Sequence, residues 1–147
     1  MKTTAIVLAG GRGKRMNSSV PKQFLMIKGK PVLYYSLKAF EDSFIDSVIL
    51  VAAEDDMEYC QKEIVDQYGF TKVTAIVAGG KERYHSVLNG IKAAGECDYI
   101  FIHDGARPFV TQDMLARLLE TVKESHACVA GMPVKDTIKI SDKEGYA

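Results

Sequence analysis

Three groups of residues in this sequence have the types and spacings needed for chemistry on phosphate. The first is Leu8-Ala9-Gly10-Gly11-Arg12-Gly13-Lys14-Arg15-Met16, where an apolar run breaks into glycines and cations, with Pro21-Lys22-Gln23-Phe24 shortly after. Glycines can take positive φ and let a ligand approach the backbone, whose N–H groups then point at an anion. Arg12, Lys14, Arg15 and Lys22 add positive charge around such a cradle. The second group, Gly79-Gly80-Lys81-Glu82-Arg83, leads to Ser86. Ser86 sits one turn into a helix and is either a cap, a surface hydroxyl or, if Gly79-Gly80 hosts a ligand, a contact to it. The third group is His103-Asp104-Gly105-Ala106-Arg107-Pro108. Asp104 offers a hard oxygen ligand for a magnesium ion that already bridges phosphates, or an Asx turn with Gly105. Arg107 offers a planar fork for a phosphate, or an ion pair to Asp104.

Spacing excludes the commoner phosphate motifs. The dinucleotide fingerprint G-x-G-x-x-G/A requires a small residue where Met16 stands, and the P-loop requires Ser or Thr where Arg15 follows Gly13-Lys14. A hydrolytic Ser/His/Asp site is excluded because His85 and Ser86 are helix neighbours that do not face one another, and there is no G-x-S-x-G elbow. His103 is expected as a buried strand-end residue orienting Asp104, and His126 carries no chemistry. Lys81, Glu82 and Arg83 read as a solvated first turn in which Arg83 can brace the loop. Cys60, Cys97 and Cys128 form no C-x-x-C pair and are expected as buried thiols, with neither a disulfide framework nor a zinc site.

The elements that must position these groups alternate in type. The 147 residues fit one domain, with 47% hydrophobic residues and 19 basic against 19 acidic side chains. That balance argues against a nucleic-acid or other polyanion-binding surface. No signal core or membrane span is present, and a cytoplasmic location is expected. Apolar runs near Ala5–Leu8, Ser47–Ala53, Val73–Val77 and Tyr99–His103 read as buried strands. Between them, helical periodicity predicts helices after Pro31 (Leu33, Leu37, Phe40) and after Asp55-Asp56 (Met57, Cys60, Ile64, Val65, Tyr68). A third has the stripe Tyr84, Val87, Leu88 and Ile91. Thr111 can cap a fourth, whose inner face is Met114, Leu115, Leu118, Leu119 and Val122. Residues 128–133 and 137–140 suggest two further short strands. The alternation predicts an α/β domain with a doubly wound, mostly parallel sheet covered by helices on both faces. Ligands in such folds bind outside the carboxyl ends of the strands, which gathers Gly10 to Lys22, Gly79 to Ser86 and Asp104 to Arg107 on one edge.

These motifs, with Pro133-Val134-Lys135-Asp136-Thr137, closely resemble the 2-C-methyl-D-erythritol 4-phosphate cytidylyltransferase family across essentially the whole chain. The resemblance implies a Rossmann-like nucleotidyltransferase domain over residues 1–147 and transfer of CMP from CTP to methylerythritol phosphate with release of pyrophosphate. It implies that Arg15 and Lys22 stabilise the transition state and that Asp104 helps hold magnesium. Ala9, Gly10, Gly11, Gly13, Gly80, Lys81, Ser86, Asp104 and Ala106 fall on the nucleotide side, Arg107 and Thr137 on the acceptor side. Members of the family are longer, with an arm that builds a homodimer and a further basic residue beyond the last motif. A chain ending at Ala147 is therefore expected to be a truncated form with the CTP side present and weak or no catalysis. Ribitol 5-phosphate cytidylyltransferase, with the same loop and another acceptor, and an inactive CTP-binding module are the alternatives.

Overall fold

The computed structural model describes residues 1–11, 20–135 and 139–145. The chain divides into two compact units, Met1–Gln112 and Asp113–Ala147.

The first unit is built on a parallel sheet whose strands are β1 (Thr3–Ala9), β4 (Ser47–Ala52), β5 (Val73–Ala78) and β6 (Tyr99–Asp104), in the spatial order β5-β4-β1-β6. A two-residue hairpin, β2 (Met26–Ile27) against β3 (Lys30–Pro31), lies apart from it. The central strands β1 and β4 are buried on both faces, and for that reason their sequences, TTAIVLA and SVILVA, are continuously apolar where a half-exposed strand would alternate. The register Ala9↔Ala52↔Ala78 and Leu8↔Asp104 brings the carboxyl ends of all four strands to one edge. Chain order reverses beside β1, between its neighbours β4 and β6. That is the topological switch point at which a crevice opens.

Helices cover both faces, as predicted. Ile6 and Val7 are adjacent in β1 and point to opposite sides of the sheet. On the Val7 side lies α1 (Val32–Glu41), which starts at Pro31, where the missing N–H costs nothing. It buries Leu33, Ser36, Leu37 and Phe40. Beside it runs a helical stretch made of a 3-10 turn (Glu54–Asp56), the short α2 (Met57–Tyr59) and a π-helix (Cys60–Asp66). Just after it, the Tyr68 and Phe70 rings meet Tyr34 of α1 at 4.7 and 5.6 Å. The predicted inner residues Cys60, Ile64 and Val65 are the buried ones, and the π winding accommodates their spacing of four and five.

On the Ile6 side, α3 (Arg83–Ala94) departs from expectation. The predicted stripe was Tyr84, Val87, Leu88 and Ile91, yet Tyr84 and Leu88 are 66% and 45% exposed. The helix instead turns Ser86, Val87, Gly90 and Ala94 inward. The reason is a close approach: a Cβ built on Gly90 would stand 2.5 Å from Ile6 Cγ2 and 3.2 Å from Val51 Cγ2. The sheet therefore accepts the small-residue side of the helix, and a periodicity of large residues misidentifies it.

In the second unit, α4 (Gln112–Ser125) follows Thr111, and Leu115 and Leu119 are its buried positions, as the sequence predicts. Residues 126–135 form no strand, although 128–133 was expected to be one, and 137–140 shows none among its described residues. A strand needs a ladder partner, and Val129 and Met132 are largely exposed. The expectation of three buried cysteines is also corrected: Cys60 is buried, Cys97 half-buried and Cys128 exposed. Burial, with Asp56 nearby, pushes the Cys60 thiol up to about 12, so it is an inert core residue. Among the described residues no helix is long and apolar enough to cross a membrane.

Candidate active site

At the carboxyl edge of the sheet lies an open cavity of about 850 Å³ within the first unit. Its first wall follows β1. Leu8, Gly10 and Gly11 line it, whereas Ala9 is buried and not among the lining residues. The positive φ expected of these glycines is not found at Gly10 or Gly11. Lys22 reaches the same cavity from a 3-10 turn, Lys22–Phe24. Pro21 enters that turn at φ −56°, within the range its ring imposes. Phe24 anchors it by burial, its ring 5.0 Å from that of Tyr59. Gln23 between them is 3% exposed and uses its Nε2 to donate to the carbonyls of Ala9 (2.5 Å) and Gly11 (3.2 Å).

The second wall follows β5. The Gly79 amide donates to the Ala52 carbonyl at 2.8 Å and the Gly80 amide to Ser86 Oγ at 3.0 Å. Ser86 Oγ in turn donates to the Glu82 carbonyl at 3.4 Å. A Cβ on Gly80 would fall 2.3 Å from that of His85, so the loop can fold onto the start of α3 only with glycine at that position. Ser86 thus ties the Gly80 loop to the start of α3 while also lining the cavity with Lys81, Glu82 and Arg83.

The third wall follows β6. Asp104 is held by two guanidinium groups: Arg83 places Nη2 at 3.0 Å and Nε at 3.3 Å from Oδ1, and Arg107 places Nε at 3.0 Å from Oδ2. The ion pair to Arg107 is therefore formed, and Arg83 joins it from α3. Loop 104–107 is shaped by main-chain bonds from Gly105 to Leu8 (2.8 Å) and from Arg107 to Asp104 (3.0 Å). Ser36 of α1 donates to the Gly105 carbonyl at 2.9 Å. His103 Nε2 lies 2.9 Å from the Arg107 carbonyl, and since a carbonyl only accepts, that nitrogen is the protonated one. His103 therefore holds the loop at Arg107; the contact expected with Asp104 is not the one it makes. Burial pushes its pKa below 6.5, against the raising effects of that hydrogen bond and of Asp104.

Of the residues singled out in the sequence, Gly10, Gly11, Lys22, Gly80, Lys81, Ser86, Asp104 and Ala106 converge on one cavity. Ala9 touches it only through Gln23, and Arg107 through Asp104. Gly13, Arg15 and Thr137, with Arg12 and Lys14, lie outside the described residues. Gln23, Glu54 and Glu82 line the cavity without having been anticipated as site residues. A polar residue beside Lys22 was visible in the sequence, but its burial was not.

Among the described residues no group of three or more His, Cys, Asp or Glu side chains could hold a metal ion. Asp104 on the cavity wall is a carboxylate of the kind that would give Mg²⁺ one oxygen beside phosphates and water, and each of its two oxygens already meets a guanidinium.

Comparison with known proteins agrees with this architecture. A sequence model of the family 2-C-methyl-D-erythritol 4-phosphate cytidylyltransferase matches residues 3–147. A curated protein of that name from Lachnoclostridium phytofermentans is 51% identical over 144 residues, covering 98% of this chain and 62% of that protein. One from Lachnospira eligens is 53% identical over 145 residues, covering 98% of this chain and 63% of that protein. The crystal structure of 4-diphosphocytidyl-2C-methyl-D-erythritol synthase from Anaerococcus prevotii matches with a TM-score of 0.79 at 29% identity, covering 99% of this chain and 61% of that one. The chain thus spans a little over three-fifths of the length of the relatives it matches. A parallel sheet reversing at β1, a cavity at its carboxyl edge and a family match over nearly every residue lead to one conclusion: the chain belongs to the 2-C-methyl-D-erythritol 4-phosphate cytidylyltransferase family.

Proposed function

We propose that this chain carries the nucleotide-handling part of a cytidylyltransferase that moves CMP from CTP to 2-C-methyl-D-erythritol 4-phosphate and releases pyrophosphate. The observation that carries the reading is the convergence of Lys22, the Gly79–Ser86 loop and Asp104 on one cavity, in a chain of this family. An acceptor phosphate oxygen attacks the α-phosphorus of CTP. The new P–O bond forms as the bridging P–O bond to the β-phosphate breaks, and pyrophosphate departs with that electron pair. No residue needs to become covalently attached.

Lys22 stands on a turn fixed by Pro21, Gln23 and Phe24, so its charge is placed before negative charge gathers at phosphorus. Preorganised groups of this kind are each worth about 10²–10³ in rate. Arg15 is assigned the same role. Asp104 is the carboxylate that would hold Mg²⁺, which supplies charge neutralisation on the phosphates. The Gly80–Ser86 corner, with Lys81 and Ala106, accepts the cytidine end, and Arg107 and Thr137 are assigned to the acceptor phosphate. The reaction is placed in the cytoplasm.

Calorimetric titration of this chain with CTP, with and without Mg²⁺, tests the nucleotide site; saturable, Mg²⁺-strengthened binding that GTP does not reproduce is expected. Pyrophosphate release with methylerythritol phosphate and with ribitol 5-phosphate then tests the acceptor. Turnover with ribitol 5-phosphate alone would reverse the acceptor assignment, and CTP binding without turnover would leave a binding module.

A further inference from the structure

We propose that Gln23 is a positioning residue of this site: its buried amide ties the loop leaving β1 to the turn that carries Lys22, so that the glycine backbone and the lysine present a single preset anion site. The inference rests on the nucleotide reading above, but its basis is geometric. Gln23 Nε2 makes two hydrogen bonds, both to main-chain carbonyls across more than ten residues of sequence, Ala9 at 2.5 Å and Gly11 at 3.2 Å. Ala9 is the last residue of β1 and is pinned to the sheet by its register with Ala52. Gly11 is exposed loop. One side chain therefore links the rigid sheet, the loop and, through its own backbone, Lys22.

Direction matters as much as reach. In a trans peptide the N–H points opposite to the C=O. By drawing the Ala9 carbonyl toward itself, Gln23 turns the Gly10 N–H away, and it occupies carbonyl oxygens that would otherwise repel a phosphate. A primary amide is the one uncharged side-chain group with two N–H donors on a single nitrogen, and both are used here. A lysine would add charge, a hydroxyl would offer one donor, and a carboxylate would face two carbonyl oxygens and repel them. Glycines that do not use positive φ need some other restraint to hold their shape, and among the described residues Gln23 supplies a side-chain restraint on both ends of the Ala9–Gly11 segment.

The test uses Gln23→Met, which keeps length and removes the donors, and Gln23→Glu, which keeps shape and inverts polarity. Backbone amide order parameters from NMR relaxation should fall at Gly10, Gly11 and Phe24 in both variants, with those of mid-strand Ile6 and Val7 unchanged. Affinity for CTP with Mg²⁺ should fall roughly tenfold in Gln23→Met, the order expected when a buried bonded pair is broken, and further in Gln23→Glu. Where turnover is measured, kcat should fall more than KM for CTP rises, because Lys22 acts on charge present only in the transition state. Unchanged order parameters at Gly10 and Gly11 overturn the inference whether or not CTP binds. Equal losses in the two variants, following global stability from urea titrations, would make Gln23 a core filler and also overturn it. Failure of the unsubstituted chain to bind CTP would instead strike the nucleotide reading, leaving the order parameters to decide the tie between loop and turn.

Discussion

Asp104 has both carboxylate oxygens engaged, Oδ1 by Arg83 and Oδ2 by Arg107, and this sets what its removal does. Asp104→Asn would remove the carboxylate proposed to hold Mg²⁺ and at the same moment loosen two guanidinium groups beside the cavity. Without Mg²⁺ the variant is expected to bind CTP as well as or better than the unsubstituted chain, because free CTP is a polyanion. With Mg²⁺ it is expected to bind more weakly, so the ratio of the two affinities shrinks. Paired calorimetric titrations measure this, and an unchanged ratio removes Asp104 from the metal site. In the proposed mechanism Lys22→Ala should act differently: kcat falls by about 10²–10³ while KM for CTP changes little, since the cation would meet charge that develops at phosphorus. Normal turnover would remove Lys22 from the mechanism. At this scale the candidate residues were legible in their types and neighbours, since Lys22 after a proline and Asp104 before Gly-Ala-Arg both line the same cavity. The pairing of Asp104 with Arg83 was not, since it depends on the start of α3 and the end of β6, 21 residues apart, meeting at one edge.

The helices and loops carry their own consequences. Gly90→Ala in α3 should raise intrinsic helix propensity yet destabilise the fold by about 1–3 kcal/mol in urea titrations, because the added methyl meets Ile6. A gain in stability would show that the helix can lift off the sheet freely. The loop after β6 gives a pH dependence. Burial lowers the pKa of His103 in the folded chain below the ordinary 6.5. The unfolded chain therefore takes up the proton first, and stability is full above pH 6.5 and declines as pH falls below it. Glu41 acts in a lower window. Burial raises its pKa, but hydrogen bonds from the Thr71 hydroxyl and the Thr71 and Lys72 amides outweigh this and lower it below 4.5. Its contribution is present above pH 4.5 and lost below. The unfolding midpoint should thus fall in two stages, and His103→Gln, which retains a donor for the Arg107 carbonyl, should remove the first. A single stage in both proteins would contradict the assignment. Helix starts, the α4 face and the Cys60 stripe were readable from periodicity. The α3 face was not, because the sheet selected the small side.

For the molecule as a whole, position in the sheet decides what an apolar residue is worth. Ile6 and Ile102 are register partners on neighbouring strands, yet Ile6 is 0% and Ile102 46% exposed. Ile6→Ala should cost about 2–5 kcal/mol, whereas Ile102→Lys on the outer strand should stay within about 0.5 kcal/mol, both read from urea midpoints of the same chain. Comparable losses would mean that β6 is covered on that face in solution. By itself the sequence determined the alternation of strands and helices, the parallel class and the three loops that meet at one cavity. Those features follow from local periodicity, glycine placement and the rule that such sheets bind ligands at their carboxyl ends. Only the tertiary structure decided the order β5-β4-β1-β6, the inner side of α3, the double clamp on Asp104 and the burial of Gln23. Each of these depends on which segments come close in space, and no local pattern encodes that closeness. The absence of a strand at 128–133 has the same origin, since apolar β-branched residues form a strand only where a neighbouring ladder satisfies their backbone.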